Sequence, residues 1–277
     1  MNESPGPVRG GEDRPVPPGI DLNTPSIARV YDYMLGGKDH YESDRRAATS
    51  IMDALPEAPL MARDNRQFLR RAVRYLVADA GIRQIIDIGS GLPTAGNVHE
   101  IAHEVDPDVR VVYVDNDPIV LAHGRALLAT NPNTTVITAD LRRSDSIFND
   151  ATTREFVDLS KPFAVLTASI LQHLADHEGP EGVATTLKGW LPSGGYLLSA
   201  NFLSGDDPRA PEIERAFLEG GLGTGRFRTR EEQLRYFDGL ELVDPGLVHA
   251  NDWRPDERTP THSPVHRLYA GGVARKP

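Results

Sequence analysis

The sequence predicts an α/β protein with a seven-stranded, mostly parallel sheet covered by helices on both faces. Three observations carry this. Five short β-branched runs (QIIDIG, RVVYVD, TVITAD, FAVLTAS and GYLLSAN) recur between residues 84 and 201, each followed by a helix-like segment. Two more, LELVDPGLV (240–248) and VHRLYAGGVAR (265–275), come last with no helix-like segment between them. Asp87, Asp115 and Asp140 close the first three runs. Apolar strands separated by helices form a parallel sheet buried on both faces. Two strands joined without a crossover helix pair antiparallel, here at the sheet edge.

The 277 residues suffice for a large buried core. The formal net charge of -10 disfavours general binding to a phosphate backbone, so no nucleic-acid partner is expected. No apolar run approaches a membrane span, and the N-terminus carries no secretory h-region, so neither a membrane nor an export role is expected. There are no cysteines, which removes disulfides, thiolate metal sites and cysteine nucleophiles and is compatible with a cytoplasmic location. Nothing in the sequence sets an oligomeric state.

From the N-terminus, residues 1–20 are rich in Pro and Gly and read as a disordered tail. Residues 21–59 read as a helical segment. A first helix starts with Thr24 as N-cap and Pro25 at the first helical position, and stops at Gly36-Gly37. A second covers Tyr41 to Leu55. The main domain, residues 60–277, opens on a helix from Leu60 to Ala80, with Phe68, Leu69, Ala72, Val73, Leu76 and Val77 at helical spacing. Late in the chain, Thr229 and Glu232 spell a capping box.

In an open α/β sheet, ligands sit beyond the carboxyl ends of the strands. The first strand ends at Asp87 and breaks into Gly89-Ser90-Gly91, a turn that lets backbone approach a ligand closely. A dinucleotide fingerprint needs a third glycine at position 94, which is Thr. An NAD-type dehydrogenase is therefore disfavoured. Asp115, after the second strand, suits the two hydroxyls of a ribose. Asp140, after the third, suits an adenine amino group. The alternative for all three acids is capping of the helices that follow.

The order of these elements resembles that of class I S-adenosylmethionine methyltransferases, whose fold is Rossmann-like. The segments IARVYDYMLGGKDHYESDR, ARDNRQFLRRAV, DIGSGLPT, YVDNDPIVLAHGRALL, LQHL and YFDGLELVDPGLV are similar to an actinobacterial methyltransferase family long carried under an unknown-function heading. The G-x-G-L-x-T turn also resembles that of carboxyl methyltransferases acting on protein C-termini, with Pro93 in place of the usual Asp. The resemblance implies S-adenosylmethionine as cofactor and a substrate class no finer than a small molecule, O- or N-methylated. It implies that Gly89, Ser90 and Gly91, with Asp87 beneath them, line the methionine part. Asp115 and Asn116 would hold the ribose, Asp140 and Leu141 the adenine, and Ala168 and Ser169 would face the methyl group. The cofactor's carboxylate needs a cation or amide donors. Arg63, with Asn65 nearby, is preferred over Arg66. The resemblance further makes residues 21–59 a lid over the cleft, excluding water. Tyr33 from that segment and His173 from LQHL are the candidate catalytic groups. His173 suits a general base by its near-neutral ordinary pKa, and equally reads as a helix-start residue. A regulatory protein that binds the cofactor without turnover is the alternative reading.

One motif points elsewhere. His99, Glu100 and His103 spell H-E-x-x-H, the zinc-protease pattern. Yet Val98, Ile101, Ala102 and Val105 make the buried stripe of that helix, which puts both His on its flank or outer face. No metal site is expected. The glycine-rich EGGLGTGRF (219–227) follows no strand and reads as a mobile loop near the substrate mouth. Trp253 and Arg254 serve either substrate contact or cover for the sheet edge.

Overall fold

A computed structural model describes residues 21–93, 96–128 and 131–277. The tail read at residues 1–20 lies outside them. Three helices lead in: α1 (Ile27–Met34), α2 (Glu42–Ala54) and α3 (Ala58–Ala78). The alternating part follows as β1 (Gln84–Ile88), α4 (Val98–His103), β2 (Arg110–Asp115), α5 (Pro118–Leu128) and β3 (Thr134–Thr138). Next come α6 (Ser144–Asn149), α7 (Ala151–Phe156), β4 (Ala164–Ala168), α8 (Pro180–Trp190) and β5 (Tyr196–Phe202). The chain closes with α9 (Ala210–Glu219), α10 (Arg230–Arg235), β6 (Glu241–Leu242), β7 (Val248–His249) and β8 (Tyr269–Arg275).

The sheet order is β3-β2-β1-β4-β5-β8-β6, and β7 also pairs β8. Strands β1 to β5 run parallel, while β8 is antiparallel to β5 over seven residue pairs. From β1 the chain winds outward through β2 and β3, then returns to β4 on the other side of β1. That reversal opens a crevice at the carboxyl ends of β1 and β4. Alternate strand residues feed two cores. Ile85, Val111, Leu166 and Leu198 face α1, α2, α3 and Trp253. Ile86, Val112, Val165 and Leu197 face α8 and the Tyr236–Phe237 corner.

Two sequence expectations need correction. The run 240–248 is two short strands rather than one, because Pro245 cannot donate to a ladder and Gly246 takes φ 91°. The antiparallel pair expected at the sheet edge is present: β8 lies beside β5, and β6 and β7 pair with it on its outer side. The first helix is capped by Ser26 rather than Thr24. The Thr24 carbonyl instead accepts Arg29 Nη2 at 2.6 Å, and Ser26 N–H donates to Asp44 Oδ1 at 2.9 Å.

Asp44 is the knot of the N-terminal segment. Wholly buried, it accepts from the amides of Ser26 and Tyr41 and from Arg29 Nε at 2.9 Å. A buried charge is tolerated only when its lone pairs are satisfied in this way. The knot holds α1 against α2, while Val30, Met34, Ala47 and Ile51 join the core beneath. The capping box at Thr229 and Glu232 is formed. Among the described residues, no helix is long and apolar enough to cross a membrane.

Candidate active site

Gly89 and Gly91 both adopt left-handed backbone, at φ 71° and 68°. Three bonds to β2 fix the turn, one of them from Ser90 N–H to the Val114 carbonyl at 3.3 Å. Gly89 N–H donates to the Val114 carbonyl at 2.8 Å, and Gly91 N–H donates to Asp115 Oδ2 at 2.9 Å. The positions differ in surroundings. A Cβ on Gly89 would lie 2.5 Å from Ile170 Cγ1, whereas one on Gly91 meets nothing within 4 Å. Gly89→Ala is therefore expected to lower unfolding free energy by about 2 kcal/mol, left-handed strain plus overpacking. Gly91→Ala should cost about 1 kcal/mol, from strain alone. Urea denaturation of the two variants checks this; equal losses would mean the Ile170 contact carries no weight.

The turn borders a cavity of about 640 Å³ at the crevice. Gly89, Ser90, Gly91, Asp87, Asp115, Asn116, Ala168, Ser169, Asn65 and His173 all lie on its wall. Asp140 and Leu141 lie on an adjoining pocket of about 190 Å³ that shares Gly89, Asp115, Asn116 and His173. The Asp140 carboxylate is already gripped by Arg142, through Nε and Nη2, and this lowers its pKa.

Arg63 is not on the wall. It is exposed, and Arg66, three residues on, faces the cavity instead. Tyr33 is likewise displaced. Its ring stacks edge-on against His40 at 4.8 Å, and Tyr31, on another side of α1, lines the cavity. Both differences are ones of helical phase. Tyr31 donates to the Ala62 carbonyl at 3.1 Å and accepts from Asn65 Nδ2 at 3.0 Å, so the hydroxyl orients the amide. Asn65 Oδ1 is then left buried with no protein partner.

The wall also contains residues that sequence reading passed over. Thr24 to Arg29 form one side of the cavity, and Ser26 Oγ hydrogen-bonds the Asp117 carboxylate. Asp117 sits two residues past Asp115 in VDND, a spacing that could have flagged it. Ile170, Leu222 and Thr224 close another side. The glycine-rich loop thus reaches the cavity, and Thr224 Oγ1 is 2.9 Å from His173 Nδ1.

Burial dominates the electrostatics. It pushes Asp87 up to about 7, helped by neighbouring Asp115 and opposed by Arg66. Asp115 is raised by burial too, and the amides of Asp117 and Gly91 partly restore its charged form. His173 is pushed down to about 4 by burial, so its imidazole is neutral at physiological pH. Ser169, after β4, holds φ 67° although it is not glycine. Such strain persists where surroundings over-determine it, often at functional sites. Gln172 supplies that constraint: Nε2 donates to Ser169 Oγ at 3.0 Å, and Oε1 accepts from Phe202 N–H at 2.9 Å.

The H-E-x-x-H residues have other partners. His99 Nδ1 is 2.7 Å from Tyr113 Oη, and His103 Nε2 donates to the Val109 carbonyl at 2.8 Å. Glu100 caps the start of α4 by accepting from the amides of Gly96 and Asn97. Both His are half-buried, the flank position among those the sequence left open. Trp253 is fully buried edge-on against Phe68 and Tyr75, and Arg254 stacks on Tyr75 at 4.1 Å, so they cover the sheet edge.

This sheet order, with a glycine turn after β1 and a carboxylate after β2 on one cavity, defines a class I S-adenosylmethionine-dependent methyltransferase. The family described as S-adenosyl methyltransferase matches residues 13–277, and the chain belongs to it. It is similar to a methyltransferase of unassigned substrate from Thermobifida fusca YX, at 44% identity and TM-score 0.89, over 94% of this chain and 98% of that one. A DUF574 family protein from Streptomyces avermitilis MA-4680 is 39% identical with TM-score 0.88, over 93% and 99%. Human N-acetylserotonin methyltransferase, solved with S-adenosylmethionine, shares the fold alone at 14% identity and TM-score 0.50, over 89% of this chain and 59% of that one. No curated protein matches the chain.

Proposed function

We propose that the protein methylates a hydroxyl or amine on a small-molecule acceptor, with residues 21–59 as cover over the cleft and His173 as proton acceptor. One observation carries the placement. Asp115 Oδ2 holds the Gly91 amide, so the acid and the glycine turn share one cavity wall. Its other oxygen holds the Asp117 amide at 2.9 Å, and carboxylate lone pairs remain for a diol. When bound, S-adenosylmethionine supplies an activated methyl on a sulfonium. Asp87 and the unpartnered Asn65 Oδ1 offer acceptors for its ammonium, and Arg66 offers a cation for its carboxylate. Beyond Ser169 and His173 lies an apolar hollow of about 30 Å³ walled by Met34, Met61, Phe202, Phe217 and Tyr269, with room for no more than the tip of an acceptor. The cytoplasm is the compartment proposed, with which a chain without cysteine is compatible.

The test is calorimetric titration with S-adenosylmethionine, S-adenosylhomocysteine and NAD, followed by labelled-methyl transfer to panels of small hydroxyl and amine acceptors. Micromolar binding of the two sulfur nucleosides but not NAD, with methyl transfer to a small-molecule acceptor, is expected. Labelling confined to proteins or nucleic acids would sink the small-molecule reading.

Asp87 gives the binding a pH dependence. Its pKa is about 7 in the free protein. A bound ammonium nearby favours the carboxylate and lowers that value. Below pH 7 the free protein therefore carries a proton that the complex must release. Affinity for S-adenosylmethionine should rise from pH 5 to 7, by about tenfold or more, and level off above. Asp87→Asn should flatten the curve. Titration in buffers of different ionisation enthalpy counts the released proton, and zero release at pH 6 would remove Asp87 from the ammonium site.

A further inference from the structure

Away from the cofactor crevice, at the β7 edge, three side chains converge. His249 ends β7, Asp252 follows in a 3₁₀ turn, and His266 opens the turn before β8. The Asp252 Oδ2 atom is 3.4 Å from His249 Nδ1 and 3.1 Å from His266 Nε2. The three donor atoms all lie within 4.8 Å of one another. Around a tetrahedral zinc, ligand atoms sit roughly 3.4 Å apart, so two of the three pairs already have that separation. None of the three residues lines the cofactor cavity.

A second observation sets the chemistry. His249 Nε2 is 2.8 Å from Asp206 Oδ2, and Arg230 Nη2 donates to that same oxygen at 2.9 Å. An ionised carboxylate only accepts, so the proton sits on Nε2 and Nδ1 of the neutral ring keeps its lone pair. That lone pair faces a carboxylate oxygen. Two electron-rich atoms at this distance need a cation between them, either a proton or a metal. A carboxylate behind the outer nitrogen of a histidine is also how metal-bound imidazoles are oriented.

We propose that His249 Nδ1, Asp252 and His266 Nε2 form a site for one divalent transition cation of the zinc type, with Asp206 as the group that orients His249. The ligands are two imidazoles and one carboxylate, and their partial exposure leaves further positions to water. The ion would clip the loop 250–265 to the sheet edge, alongside the bonds from Arg71 to the Ala250 and Trp253 carbonyls. Ions that close long loops restrict the unfolded chain most.

The experiment is isothermal titration of tag-free, chelator-stripped full chain with zinc chloride, with cobalt(II) absorption as a spectroscopic readout. One site per chain with micromolar affinity is expected, together with a zinc-dependent rise in Tm. Asp252→Ala and His266→Ala should each weaken binding about a hundredfold, and Asp206→Ala by about tenfold or more. Asp252 is half exposed, so its variant tests the site even if His266→Ala fails to fold. No saturable binding below about 1 mM would overturn the proposal and leave a proton as the cation. Binding that survives Asp252→Ala but is lost in His103→Ala would also overturn it, by moving the metal to the H-E-x-x-H helix.

Discussion

Asp115→Ala is expected to weaken S-adenosylmethionine and S-adenosylhomocysteine binding by about a hundredfold or more. Hydrogen bonds to a buried carboxylate contribute about 1.5–3 kcal/mol each, and a ribose diol makes two. The carboxylate also organises the cleft. Without it, the Gly91 and Asp117 amides lose their acceptor, and the glycine turn loses one of its three ties to β2. Asp140→Ala is the control, because Arg142 already occupies both of its oxygens. That variant should lose about tenfold at most, roughly the 1 kcal/mol of one shared bond. Calorimetric titration of both proteins decides the matter. A Kd for Asp115→Ala within threefold of the parent would remove the acid from the ribose site.

The sheet was legible because strand and helix periods differ and each parallel strand is buried on both faces. β1 to β5 follow the β-branched runs, and the strand ends bring Asp87 and Asp115 to one crevice. What failed was finer than a period. Arg63 and Arg66 lie three residues apart on α3, and one is exposed while the other reaches the cavity. Composition cannot set that phase. Tyr31 and Tyr33 differ in the same way on α1, and only the docking of α1 over α3 selects Tyr31. The contribution of Thr24 to Arg29 was hidden for another reason. Those residues reach the crevice through contacts distant in sequence, such as Ser26 with Asp117. In the H-E-x-x-H segment the sequence left flank and outer face open, and the contacts to Tyr113 and Val109 select the flank for both imidazoles.

His173→Phe should separate the two kinds of acceptor. A hydroxyl must lose its proton as it is methylated, whereas a neutral amine attacks with its lone pair and can release a proton to solvent afterwards. His173 is placed for the first task. Its imidazole borders both the cofactor cavity and the apolar hollow, and Nδ1 is held by Thr224 Oγ1. With the pKa pushed down to about 4, the ring is unprotonated from pH 5 upward, and its share of the rate should not change over that range. The low pKa also limits its strength. General bases contribute typically 10²–10⁴-fold and work best with a pKa near the operating pH, so the lower end, about a hundredfold in kcat, is expected here. With a hydroxyl acceptor, His173→Phe should lose that factor while the Kd for S-adenosylmethionine stays within threefold. With an amine acceptor, kcat should hardly move. Phe keeps the ring's bulk beside Phe202, so a loss shared by both acceptors would mean that His173 shapes the hollow rather than taking a proton.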